Sequence, residues 1–238
     1  MNSEHQKIKE KIVEQITLGL EDIDKNCLIQ KKTTTQQGKQ KVYLRGLASL
    51  DESKITSHLV FYLEKTLPNY FDNIVLIKAE KKYKQKSKRC DIVIIFMDDN
   101  GNEIQVDIEI KHIRLIGDNG EDYNWKPIRT DEFWGDIKKL NKHSKANIKL
   151  VIAITYEYDQ ETLNYMRTLH PEHKDRLDKI GCVLYGKEGK YNMDEDLEKN
   201  ENYYILKGMM KGKFEKRHFR ATTHPCAGRG TLVVGQIN

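Results

Sequence analysis

Cysteine is scarce and scattered in this chain: the four present among 238 residues, Cys27, Cys90, Cys182 and Cys226, form no C-x-x-C pair. That spacing speaks against a disulfide framework or a zinc knuckle. Long apolar runs are missing as well. The longest uninterrupted aliphatic and aromatic stretch is about six residues, Ile92 to Met97, far short of the ~20 that a membrane-spanning helix needs. The opening residues, Met1 to Lys7, contain no apolar signal region, so a cytoplasmic protein without membrane contact is expected. No internal repeats appear. Charged residues make up 32% and hydrophobic ones 38%, with a net charge of +5, a wet composition that still supports a core built from periodic segments.

What the chain does have is concentrated between Arg89 and Lys111. Arg89-Cys90-Asp91-Ile92-Val93-Ile94-Ile95-Phe96 places an acid ahead of five apolar, mostly β-branched residues, and Asp98-Asp99-Asn100-Gly101 follows with turn formers. This is the pattern of a buried strand and a tight reversal. From Ile104 to Lys111 apolar and polar residues alternate strictly, so Val106, Ile108 and Ile110 share one face and Asp107, Glu109 and Lys111 the other. Alternation alone describes any antiparallel strand with one solvated face. The preceding run adds to it, because an acid heading a strand buried on both faces requires a partner. A divalent cation shared by Asp91 and Glu109 satisfies both, and hard oxygen ligands suit Mg²⁺ or Mn²⁺ rather than zinc. Lys111 falls one strand repeat beyond Glu109, roughly 7 Å along the same face, within reach of a water or a phosphate at such a site.

Asp91 followed by Glu109-Ile110-Lys111 resembles the motif of the PD-(D/E)xK phosphodiesterase superfamily, which includes restriction, repair and recombination nucleases. Cys90 stands where that motif has proline, a position that varies within the superfamily. The surrounding segments are similar in order: a helix from about Glu52 to Leu67, a strand at Ile74 to Ile77, the two strands above, a helix from about Asp131 to His143, and a strand from Ile148 to Thr155. The resemblance implies an α/β fold with a restriction endonuclease-like core, a central mixed β-sheet in the order αβββαβ flanked by helices. It also implies that Asp91 and Glu109 are metal ligands, with the Ile110 carbonyl as a further one, and that Lys111 orients or activates water. A helix glutamate is presented to the metal in many members, and Glu52 is preferred here over Glu64. Lys139 would contact a phosphate. The activity implied is Mg²⁺- or Mn²⁺-dependent hydrolysis of phosphodiester bonds, with DNA as substrate, by an endonuclease of restriction, defence or repair type. The alternative is a non-catalytic nucleic-acid-binding subunit with the same fold, and a third reading is a structural subunit with a wet strand face.

One domain is expected over residues 1–238, with an N-terminal helix and basic loop at 1–45, a catalytic core at 46–186 and a C-terminal extension at 187–238. Lys78, Lys81, Lys82, Lys84, Lys86, Lys88 and Arg89 cluster just before Asp91. From Lys82 to Arg89 they either track a phosphate backbone or line a solvated loop. Ile8, Ile12, Val13, Ile16, Leu20 and Ile23 recur at helical spacing, which suits packing on the core or on a second copy in a homodimer. Residues 31–41 read as a basic loop, Lys187 to Glu201 as a mobile loop, and His218 to Gly230 as a surface tail. Trp134 and His112 are expected to pack in the interior.

Overall fold

The computed structural model describes residues 3–26, 32–34, 40–42, 46–47, 50–82, 89–114, 126–169, 171, 174, 177–178, 190–192, 194–221 and 229–238. In chain order the elements are α1 (Ser3–Asn26), β1 (Lys32–Thr34), β2 (Gln40–Val42), α2 (Glu52–Thr66), β3 (Ile74–Lys82), β4 (Arg89–Met97), β5 (Glu103–His112), α3 (Lys126–His143), β6 (Ile148–Asp159), α4 (Gln160–Leu169), β7 (Lys190–Asn192), α5 (Asp194–Glu198), α6 (Glu201–Leu206), β8 (Glu215–Arg220) and β9 (Arg229–Ile237). β3, β4 and β5 form an antiparallel meander, and α3 carries the chain to β6, which lies parallel to β5. β9 and β8 continue the sheet in antiparallel fashion, giving the order β3-β4-β5-β6-β9-β8, with β7 paired to the far end of β6. The architecture is α/β, a mixed open sheet flanked by helices. Among the described residues no helix is long and apolar enough to cross a membrane.

The β4–β5 reversal follows from its turn residues. Asp98 Oδ1 accepts the backbone N–H groups of Asn100 and Asn102 at 2.9 and 2.6 Å, and Gly101 takes a φ of 80° that residues with a Cβ resist. This turn fixes the register Ile92↔Ile108 through Met97↔Glu103. Ile92 to Phe96 are all buried, as their continuous apolar run requires. On the other side, the apolar stripe of α1 is buried within the chain, and α1 meets α2 where Gly19 allows Leu59 and Tyr62 to approach. The stripe therefore carries no case for a homodimer.

Several boundaries differ from the sequence expectation. α3 starts at Lys126, well before Asp131, because Pro127 falls in the first turn, where its missing N–H leaves no bond unmade. β3 continues to Lys82, so Lys78, Lys81 and Lys82 lie on an edge strand and not in a loop; Lys84, Lys86 and Lys88 lie outside the described residues. Part of the basic segment 31–41 pairs as β1 and β2. The expected loop from Lys187 to Glu201 contains β7 and α5, where Leu197 is buried and Lys216 pairs with Asp194 and Glu198 at 2.8 and 2.6 Å. Of the expected surface tail, His218 to Arg220 belong to β8 and Arg229 and Gly230 to β9, and Thr231 to Val234, which follow, are buried between β6 and β8. His224 and Cys226 lie outside the described residues. His112 and Trp134 are buried, with His112 Nε2 2.8 Å from Tyr156 Oη and the indole stacked on Tyr204 at 4.4 Å.

Candidate functional site

The polar face of β5 is not wet. Asp107 and Glu109 are 1% and 0% exposed, and only Lys111 is partly open. Three charged side chains on one strand face thus enter the interior, and each requires a partner there.

Asp107 is held by two hydrogen bonds: Ser144 Oγ donates to Oδ2 at 2.7 Å and Gln105 Nε2 to Oδ1 at 2.6 Å. Glu109 meets the ammonium of Lys139, reaching down from α3, at 2.5 Å. Asp91 lies just beyond the last β4–β5 pair, Ile92↔Ile108, and its Oδ2 accepts the backbone N–H of Ile110 at 2.7 Å. This bond ties the head of β4 to the E-x-K segment.

Lys111 is gripped by acids from two helices. Its Nζ lies 3.1 Å from Glu52 Oε1 at the start of α2, 3.5 Å from Asp136 Oδ2 and 3.7 Å from Glu132 Oε2 on α3. The second oxygen of Glu52 accepts the His112 N–H at 2.8 Å, so this glutamate binds both the side chain and the strand it serves. Asp136 also reaches Lys139 at 3.0 Å, which links the two ammonium groups through one carboxylate. Glu64, the other helix candidate, lies near the opposite end of α2 beside Pro68 and Phe71. Asp91, Glu109, Lys111, Glu52 and Lys139 are therefore brought together. Lys82 and Arg89 are not part of this cluster: Lys82 is exposed on the edge strand, and Arg89 pairs with Glu80 at 2.5 Å.

Sequence reasoning missed Glu132 and Asp136 as partners of Lys111. The signal was available, since Glu132, Asp136 and Lys139 are spaced i, i+4, i+7 and share one helix face.

The electrostatics are strained in one direction. Burial pushes the Glu109 carboxyl from an ordinary 4.5 up to about 9, and the negative charge of Asp91 adds to this against the pull of Lys139. Asp91 is raised too, first by burial, with Glu52 and Asp136 adding and with the Ile110 N–H and Lys139 opposing. Burial pulls both ammonium groups down. Around Lys111 the acids Glu52 and Asp136 outweigh it, and around Lys139 Glu109 and Asp136 do, so both lysines end up raised. Among the described residues, the carboxyl groups of Glu52, Asp91, Glu109, Glu132 and Asp136 meet the ammonium groups of Lys111 and Lys139. Negative charge is in excess.

Among the described residues no group of three or more His, Cys, Asp and Glu side chains is arranged to hold a metal ion. Glu109 is engaged by Lys139, Glu52 by Lys111, and Asp91 by a backbone N–H. The donor chemistry nevertheless fits a hard divalent cation. The half-buried Asp91 and the buried Glu109 supply carboxyl oxygens, and the Lys139 ammonium already takes a cation's role at Glu109. A scan against protein-family models and a search of curated proteins find no match to this chain.

Proposed function

We propose that the chain is a metal-dependent phosphodiesterase of the PD-(D/E)xK, restriction endonuclease-like kind, acting on DNA. The observation that carries this reading is the pair of the half-buried Asp91 and the fully buried Glu109, in which the charge of Asp91 adds to burial in raising the Glu109 carboxyl, with Lys111 beside it on the same strand as Glu109. The order α2-β3-β4-β5-α3-β6, with β5 and β6 parallel, supports it.

Asp91 and Glu109 would hold the ion, with the Ile110 carbonyl as a further oxygen. Bound there, Mg²⁺ or Mn²⁺ supplies Lewis acidity toward the phosphate and a lowered pKa for water. Lys111, fixed by Glu52, Asp136 and Glu132, presents its ammonium to the attacking water. Lys139, turned from Glu109, presents its charge to the phosphate. Glu52 serves by positioning Lys111 and β5 through its two bonds.

The test is a panel of circular DNA, linear DNA, single-stranded DNA and RNA, each with Mg²⁺, Mn²⁺ or EDTA. Wild-type protein is expected to cut DNA only with metal, and Asp91→Ala protein is expected to leave it intact. A second reading, a nucleic-acid-binding subunit without chemistry, is favoured by the engagement of Glu109 with Lys139 and of Asp91 with the Ile110 N–H. Salt-sensitive, metal-independent binding without cleavage would decide for it.

A further inference from the structure

A second cavity opens on the same side of the sheet as the acid cluster, one strand repeat away. It holds about 180 Å³, and its lining includes Cys90, Val93 and Asp107 on the sheet and Lys81, Lys82 and Lys145 around it. Its floor is apolar, with Cys90 and Val93 each 1% exposed. Lys81 comes from β3, Lys82 from the end of that strand, and Lys145 from just beyond α3. The one acid in the lining, Asp107, has both oxygens taken up by Ser144 and Gln105. Gln105 in turn lies 3.5 Å from Lys81 Nζ. Three ammonium groups thus surround a single carboxylate that is already hydrogen-bonded, so the cavity is electropositive beside a cluster with excess negative charge.

We propose that this cavity is a phosphate subsite, which receives the nucleotide neighbouring the cleaved bond, its phosphate against Lys81, Lys82 and Lys145 and its sugar carbons on Val93 and Cys90. The inference rests on the nucleic-acid reading of the acid cluster. Its size suits one phosphate with the adjoining sugar and excludes a large cofactor. Asp107 and Glu109 are alternate residues of one strand, roughly 7 Å apart along it, a separation comparable to that of neighbouring phosphates on one nucleic-acid strand. The subsite therefore fixes which phosphate stands over Asp91 and Glu109. Lysines serve here as point charges, which hold a backbone in place without reading sequence.

Binding in EDTA tests this separately from cleavage. A single-stranded oligonucleotide, a deoxynucleoside 5′-monophosphate and inorganic phosphate are titrated into Asp91→Ala protein with and without the added pair Lys81→Gln and Lys145→Gln. The same charge change at Lys65 and Lys207, on α2 and just after α6, serves as control, and melting temperatures establish that each protein is folded. The expected result is an oligonucleotide affinity lowered at least about tenfold at low salt by the pocket pair, with the salt slope reduced by about 1.4, and little change from the control pair. Two results would overturn the proposal: equal losses from the pocket and control pairs, or mononucleotide or phosphate binding as tightly as the oligonucleotide, which would make the cavity a site for a free anion. Absence of cleavage in the metal panel together with a selective loss of binding here would remove the nuclease reading and leave the subsite standing.

Discussion

Glu109→Gln protein, free of metal, is expected to be more stable than wild type at neutral pH, by about 3 kcal/mol at pH 7 as an upper figure, while losing cleavage. The folded carboxyl titrates near 9 and the ordinary group near 4.5. Between those values folding takes up a proton, so the unfolded state binds fewer protons and stability falls as pH rises. The contribution of the group is fully present below about 4.5 and is lost as pH climbs through about 9. Glutamine keeps the shape without the proton, so the gap between variant and wild type should widen steadily from pH 5 to pH 8. Lys139 retains Asp136 at 3.0 Å in the variant and is not left without an acid. Urea unfolding at a series of pH values measures the gap. A difference that does not grow with pH would mean that Lys139 fully compensates the carboxylate, as an ion pair and not as a placeholder. Such a gain in stability on losing a functional group is the pattern of a site kept for chemistry at a cost to folding.

Lys111→Gln protein is expected to cleave about 10²–10⁴-fold more slowly at saturating substrate, with KM little changed. The ammonium is held by acids from two helices and is only 11% exposed in its side chain, so it is preorganised and need not reorganise as charge develops. Its loss also leaves Glu52, Glu132 and Asp136 facing one another, so the melting temperature of the variant must be measured alongside. Rates within about threefold of wild type in a folded variant would assign Lys111 a structural role, as the bolt between α2, β5 and α3. The split between kcat and KM separates this from a substrate-binding role, in which KM would rise and kcat stay.

The strands that carry the site were legible because their patterns are local. Ile92 to Phe96 is β-branched and continuous, Ile104 to Lys111 alternates with period two, and Asp98 to Gly101 between them has the side chains a reversal needs. That Glu109 is buried to 0% was not legible, since alternation also describes a solvated face; it is α3, laid over that side and reaching down with Lys139, that removes the water. Choosing between Glu52 and Glu64 requires the placement of α2 against α1 and the sheet, which lies outside any local pattern. β8 was missed for a similar reason: Glu215-Lys216-Arg217-His218-Phe219-Arg220 contains one apolar residue, and only its pairing with β9 makes it a strand. β9 itself, with Thr231-Leu232-Val233-Val234, had the composition of a strand and was obscured by the glycines and histidines before it.

The most direct test of the metal site is calorimetric titration of Mn²⁺ into the folded protein at pH 7, in two buffers of different ionisation enthalpy, for wild type and Glu109→Gln. A carboxyl titrating near 9 is protonated at that pH, so binding of the ion should release roughly one proton per site, and the glutamine variant should lose both the binding and the proton. Mn²⁺ binding that the substitution leaves unchanged, or no binding at all, would contradict the assignment of Asp91 and Glu109 as a cation site.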